Sequence, residues 1–422
     1  MKKLALLIVV SLYVPVCFAQ THADIDAAIA RFQNFFNHQQ TDSIYNMLSE
    51  RSKGLMTLEK TRQVFTQLTS QLGEMKSYEY VKEGTGMSVY KTIFDKTTLS
   101  LFISLSKENK LETFRFLPYK ADTTPVQHEV SNIVLKTAAG SIFGTLVMPD
   151  GGKKAPVVLI IAGSGPTDRN GNSVQVGLSS NAYKMLADSL KKAGIASVRY
   201  DKRGVEESAG ALQAEDSIRF DDIVNDAAGF IKMLKEDNRF SKVIVLGHSE
   251  GSLVGMIAAK KEKAAAYISV SGIAERADKV LEKQISAQSA ELAASATVIL
   301  DSLDKGMLVK NVPATLASLF RPSIQPYLIS WLKYEPRQEI KHLSIPVLII
   351  QGTTDLQVSV DEAEQLKKAY PKATLKIITG MNHPLKQSPE DRTKNVATYS
   401  NPALPLSPGL MPAIVSFIEE VK

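Results

Sequence analysis

From about Val126 to the C-terminus, short apolar runs alternate with helical segments. The runs are "APVVLIIAG", "IASVRYD", "KVIVLG", "AAYISVSG", "IPVLIIQG" and "ATLKIITG". Each is too short for a buried helix, and most are rich in β-branched residues. Their apolar character is continuous rather than alternating, as expected of strands covered on both faces. Helical patterns fill most of the intervals, including 181–193 and 221–237. This succession predicts an α/β architecture, a doubly wound and mainly parallel sheet. Two further strands, "HEVSNIVLKT" and "SIFGTLVMP", precede it and form a hairpin around "AAG". The interval Ala274–Leu343 is too long for a simple crossover. Its mostly helical pattern predicts an inserted cap at about 274–343.

The region before this sheet has a different pattern. "IDAAIARFQNFFNHQ" places Ile25, Ala28, Ile29, Phe32, Phe35 and Phe36 at helical spacing, and a second helix covers about Leu58–Leu72. From Lys76 to Leu117 the chain alternates and is cut by "EGTG", "DKTT" and "KENK". That predicts an antiparallel meander of about four strands. Residues 20–120 are therefore expected to form a small α+β domain, followed by a linker and then a larger domain over 126–422. The small domain carries no cluster of acids, bases or ligands, and His38 reads as surface.

The N-terminus, "MKKLALLIVVSLYVPVCFAQ", has a basic start and an apolar run too short to span a bilayer. Cleavage after Ala19 is expected, which makes residues 1–19 a signal peptide and the protein periplasmic or secreted. Lipidation of the single cysteine, Cys17, is the alternative, for which Val16 is a poor preceding residue. Cleavage would leave a chain without cysteine, hence without disulfides, thiol nucleophiles or Cys-ligated metals. No later stretch is long enough for a membrane span. The formal charge of +6 becomes 6 − 2 = +4 without Lys2 and Lys3. Basic and acidic residues are interleaved, which reads as a solvated surface rather than a nucleic-acid patch. The sequence leaves the oligomeric state open.

One pentapeptide carries the chemistry. "GHSEG", Gly247–Gly251, lies between the strand "KVIVL" and the helical "SLVGMIAAKK". A serine between glycines at a strand-to-helix turn is a nucleophile elbow, which lifts Ser249 to the carboxyl edge of the sheet. The Glu250 N–H then opens the helix and can face an oxyanion. A serine needs a base, and the base needs an orienting acid. Asp355 follows the strand in "IPVLIIQGTTD", and His383 follows the next one in "ATLKIITGMNHP". The order Ser, Asp, His, each after a strand, brings all three to one edge. In "LIIAGSGPTDRNGN" the backbone of Gly163 or Ser164 is expected to supply the second oxyanion donor.

With "GSGPTDRNGN", "YDKRG" and "GHSEG", residues 126–422 resemble the α/β-hydrolase superfamily, and more narrowly its bacterial esterases and serine-aminopeptidase-like hydrolases. That group is similar in carrying a small N-terminal domain of unknown function, which residues 20–120 resemble. The resemblance implies an α/β-hydrolase fold with Ser249 as nucleophile, Asp355 as acid and His383 as base. It implies an oxyanion hole from Gly163, Ser164 and Glu250, and acyl transfer from a small-molecule ester without a cofactor. Asn170 departs from the pattern, since similar sequences often carry Asp there.

Other residues have more ordinary readings. Asp361 reads as a first-turn helix acid, and His248 as a structural residue turned away by the elbow. Asp201 and Arg203 read as a charged pair bracing loops, and Asp168 and Arg169 as loop braces, with Arg169 a candidate contact for a substrate carboxylate. Asp221 and Asp222 read as a helix start, and no ligand set for a metal stands out. In the cap, Met307, Leu319, Phe320, Tyr327 and Trp331 either line an acyl pocket, with Trp331 the candidate substrate contact, or pack helix against helix. An exported peptidase remains an alternative, with Glu275, Glu282, Glu291, Asp301 and Asp304 as possible receivers of a free amine. A non-catalytic binding protein on the same fold is the other.

Overall fold

The computed structural model describes residues 22–84, 87–119, 132–152, 154–173, 177–212, 214–286 and 289–421. The leader and Cys17 lie outside them, as do His128 and the central part of the expected linker. The chain divides into two compact units, Met1–His128 and Glu129–Lys422.

In the smaller unit, α1 (His22–Asn37), α2 (Thr41–Met47), α3 (Glu50–Leu55) and α4 (Leu58–Leu72) precede four strands. These are β1 (Met75–Gly84), β2 (Met87–Phe94), β3 (Thr98–Leu105) and β4 (Leu111–Pro118), paired in that order as an antiparallel meander. The apolar stripe of α1 supplies the core: Ile25, Ala28, Ile29, Phe32 and Phe36 are all buried. Phe32 packs against Phe36, Phe65, Phe114 and Phe116. Helices α2 and α3, of 7 and 6 residues, escape a periodicity reading because each is too short to repeat an apolar stripe.

The larger unit is built on eight strands: β5 (Ile133–Thr137), β6 (Gly140–Val147), β7 (Ala155–Ile161), β10 (Ala196–Tyr200), β11 (Phe240–His248), β12 (Ala266–Val270), β13 (Val347–Gly352) and β14 (Thr374–Ile378). A short ribbon, β8 (Asn172–Ser173) with β9 (Leu178–Ser179), stands apart from them. The sheet order is β5-β6-β10-β7-β11-β12-β13-β14. β6 is antiparallel to both its neighbours, and the other pairs are parallel. Alternate residues of β7 enter different cores: Val157, Leu159 and Ile161 join one, Val158 and Ile160 the other. This explains the continuous apolar runs, because both faces are covered.

One face is packed by α6 (Phe220–Glu236), α7 (Glu250–Glu262) and α13 (Val360–Ala369), and the other by α5 (Ala182–Lys192) and α15 (Leu410–Glu420). Between β12 and β13 lie α8 (Ala277–Ser286), α9 (Ala290–Asp304), α10 (Ala317–Phe320), α11 (Gln325–Trp331) and α12 (Pro336–Lys341). The short α14 (Arg392–Thr398) follows β14.

The chain leaves β7 for β10 on one side and returns to β11 on the other. Such a reversal opens a crevice beyond the carboxyl ends of the two strands. Gly163 follows β7 there, and Ser249 follows β11.

Candidate active site

The turn after β11 has no room for side chains at its two glycines. A Cβ on Gly247 would lie 2.1 Å from the Gly251 carbonyl oxygen, and one on Gly251 would lie 2.4 Å from that of Ile161. Helix α7 therefore meets the end of β7 backbone to backbone, which forces the intervening residue into a strained conformation. Ser249 has φ 56° and ψ −123°, a region that a non-glycine residue occupies only when its surroundings hold it there. The Ser249 N–H donates to the Val270 carbonyl at 3.0 Å, and its side chain is half-buried at the crevice.

Asp355 and His383 meet beside this turn. His383 Nδ1 lies 2.9 and 3.1 Å from the two Asp355 carboxylate oxygens. The carboxylate can only accept, so Nδ1 carries the proton and Nε2 is left as a base. Asp355 also accepts from the N–H groups of Gln357 and Val358, at 2.8 and 3.0 Å, and from the Gln351 side chain at 3.2 Å. Burial alone would push its carboxyl up. The His383 charge and hydrogen bond, with the two backbone N–H groups, outweigh burial and hold it below the usual carboxylate range. Ser249 and His383 share no hydrogen bond among the described residues. Such a contact often tightens only around substrate.

The expected oxyanion donors divide. The Gly163 N–H is spent on the Tyr183 hydroxyl at 3.3 Å, so its assignment as a donor to substrate is corrected. The next peptide's N–H, on the exposed Ser164, donates to no partner among the described residues. Nor does the Glu250 N–H at the start of α7. Two backbone donors therefore remain, one from each side of the crevice.

His248 holds more of the site together than its sequence position suggests. Its Nε2–H donates to the His383 carbonyl at 2.9 Å, and its Nδ1 accepts from Tyr183 Oη–H at 2.8 Å. Burial, and then the neighbouring His383, pull its pKa down to about 3, so it is neutral. Helix α14 braces the same loops. Asn395 Nδ2 donates to the Thr354 carbonyl at 2.7 Å, and Asn382 Nδ2 donates to Thr398 Oγ1 at 2.6 Å. Behind the elbow, the Lys202 ammonium donates to the Gly163 carbonyl at 2.9 Å and to Glu250 Oε1 at 3.1 Å. Nothing at sequence level marks Tyr183, Asn382 or Asn395. Lys202 lies inside "YDKRG", where attention falls on the flanking charges.

A protein-family model described as serine aminopeptidase, S33 matches residues 176–313 of the larger unit. The larger unit has the α/β-hydrolase fold. A second model, described as a protein of unknown function (DUF3887), matches residues 30–114 of the smaller unit. The chain is 26% identical over 369 residues to esterase EstD of Thermotoga maritima, covering 83% of this chain and 86% of that one. Est1E from Butyrivibrio proteoclasticus, solved with ferulic acid, is 18% identical over 68% of this chain and 98% of its own, with a TM-score of 0.46. A bromoperoxidase from Bacillus anthracis is 18% identical over 69% and 100%, with a TM-score of 0.42. Structural likeness at this level carries nothing about activity.

Within the hydrolase unit, three further expectations change. The Arg169 guanidinium is 5% exposed and is held by Asp201, Glu207 and Thr145. It is a loop brace and is not aimed at a substrate carboxylate. Asp201 pairs with Arg169 rather than Arg203, whose partner is Asp226. Trp331 stacks on Phe220 with centroids 5.9 Å apart and ring planes at 5°, which commits its face to packing α11 against α6 rather than to substrate. Phe320 and Tyr327 are buried in the same core, whereas Met307 and Leu319 are 52% and 41% exposed.

Asn170, the departure from the family pattern, accepts from the fully buried Arg199 through its side-chain carbonyl. Asp361 is a first-turn acid of α13, as its position suggests. Among the described residues no group of three or more His, Cys, Asp or Glu could hold a metal, and no helix is long and apolar enough to cross a membrane.

Proposed function

We propose that the chain is a serine hydrolase that cleaves small or medium carboxylic esters through an acyl-enzyme. The observation that carries this reading is the buried Asp355–His383 pair beside a serine held at positive φ. His383 Nε2 takes the Ser249 proton as Oγ attacks the ester carbonyl. The Ser164 and Glu250 N–H groups receive the oxyanion, a contribution of about 3 kcal/mol per donor. His383 returns the proton to the departing alkoxide. Water activated by the same imidazole then releases the acid. Asp355 orients His383 and stabilises its cation.

The name of the Thermotoga relative supports ester bonds. The description of the matching family model supports a peptidase instead. A peptidase would need an unpaired carboxylate to receive a free amine: Glu275, Glu282 and Asp304 of the cap are paired with Lys283, Lys279 and Arg276, whereas Glu291 and Asp301 are exposed and make no ion pair among the described residues. The anilide arm of the assay below therefore decides between the two bonds. The apolar leader further suggests export, with cleavage after Ala19, which the intact mass of the protein recovered from outside the cytoplasm would test.

The deciding assay compares p-nitrophenyl acetate, butyrate and octanoate with alanine p-nitroanilide, using the natural chain and Ser249→Ala. Ester turnover that the substitution abolishes is expected. Anilide turnover outrunning the esters would make the chain a peptidase. Turnover unaffected by Ser249→Ala, or no turnover at all, would remove the reading.

A further inference from the structure

Lys202 occupies an unusual place for a buried cation. It follows β10, is 8% exposed, and directs its ammonium at two acceptors, the Gly163 carbonyl and the Glu250 carboxylate. Each acceptor belongs to one half of the candidate oxyanion hole. The Gly163 carbonyl is the other end of the peptide unit that carries the Ser164 N–H. In a trans peptide the two bonds point in opposite directions, and no cis peptide is present among the described residues. Anchoring the oxygen therefore fixes where the N–H points. The Gly163 N–H is tied on its other side to Tyr183, so this glycine is clamped at both ends.

Glu250 makes a second case. Its N–H is the other free donor, yet its carboxylate stands one residue from the nucleophile and is 4% exposed. An uncancelled negative charge there would oppose a developing oxyanion. Lys202 neutralises it at 3.1 Å.

We propose that Lys202 is a positioning residue of the oxyanion hole: one ammonium orients the Gly163–Ser164 peptide and cancels the Glu250 charge, so that both backbone donors face the developing anion. This rests on the serine-hydrolase reading above. It differs from a purely structural ion pair in one respect. Removing both charges together should repair the fold without repairing catalysis. A cation on the carbonyl also polarises the peptide and strengthens its N–H as a donor.

The experiment uses Lys202→Met, Lys202→Met/Glu250→Gln and Ser249→Ala in the full chain. The readouts are the urea midpoint, kcat and KM for p-nitrophenyl butyrate, and the inhibition constant of an alkyl trifluoromethyl ketone, whose serine adduct carries an oxyanion. Lys202→Met is expected to lower both the midpoint and kcat. The double variant leaves no orphan carboxylate and should regain the midpoint. Its kcat should stay roughly 10- to 100-fold down, with KM within about 3-fold and ketone affinity falling in parallel, as for weakening of one oxyanion donor. If Lys202→Met fails to fold, the double variant carries the comparison. Recovery of kcat together with the midpoint would overturn the proposal and leave a structural ion pair. Retention of turnover by Ser249→Ala would instead overturn the hydrolase reading, so the two failures are distinct.

Discussion

His248→Gln separates the hydrogen bonds of His248 from its titration. The imidazole donates to the His383 carbonyl and accepts from Tyr183. A glutamine amide can do both, one group through nitrogen and the other through oxygen, and it has no proton to gain. In the natural chain burial holds the His248 pKa at about 3, against 6.5 for an unperturbed imidazole. Above pH 6.5 the group is neutral in both folded and unfolded states and has no pH effect. Below it the unfolded chain takes up a proton that the folded chain refuses, so stability is lost as pH falls from about 6.5 toward 3. The slope is about 1.4 kcal/mol per pH unit, or about 3 kcal/mol by pH 4. Asp168, pushed up to about 6 by burial, changes stability in the opposite direction as pH falls. It is common to both proteins and cancels in the difference.

Urea unfolding of the natural chain and of His248→Gln between pH 4 and pH 8 is the assay. Stabilities within about 1 kcal/mol at pH 7 are expected, since both hydrogen bonds persist. The variant should be more stable by about 3 kcal/mol at pH 4. Parallel curves through the acid limb would mean that His248 is not a buried neutral group. A loss above about 2 kcal/mol at pH 7 would mean that the amide does not bridge Tyr183 and His383.

Asp355→Asn should lower kcat about 10⁴-fold, because Nδ1–H of His383 loses its anionic acceptor; steady-state ester kinetics read this directly. Gly163→Ala would place a Cβ 3.1 Å from the Ser249 Cβ and 3.4 Å from the His248 carbonyl oxygen. A stability loss of about 1–3 kcal/mol in urea and a fall in kcat of about 10²-fold are expected. Arg169→Met strands the Asp201 carboxylate, which is 1% exposed, and should cost about 3–5 kcal/mol. The ratio of KM values for neutral and carboxylate-bearing esters should not move, and a change in that ratio would restore Arg169 as a substrate contact.

The strands of the hydrolase unit were legible because two buried faces demand unbroken apolar runs, as Val157–Ile161 illustrates. The candidate triad was legible for a related reason. Each member follows a strand, and in such a sheet the carboxyl ends gather at one edge. Helices α2 and α3 were not legible, because at 7 and 6 residues neither repeats an apolar stripe. The cap residues were ambiguous, because an apolar side chain carries no record of what it faces.

The sequence by itself therefore determined the sheet, the elbow and the Asp355–His383 pair that follows two of its strands. These depend on local periodicity, on glycine and on order along the chain. The tertiary structure alone decided which peptide N–H is free at the crevice, that Asp201 pairs with Arg169 rather than Arg203, and that Lys202 and His248 bind the loops of the site to one another. Those are contacts between residues far apart in the chain. Hydrogen bonds and ion pairs act over about 3 Å, and no spacing in the sequence encodes which distant groups come within that reach.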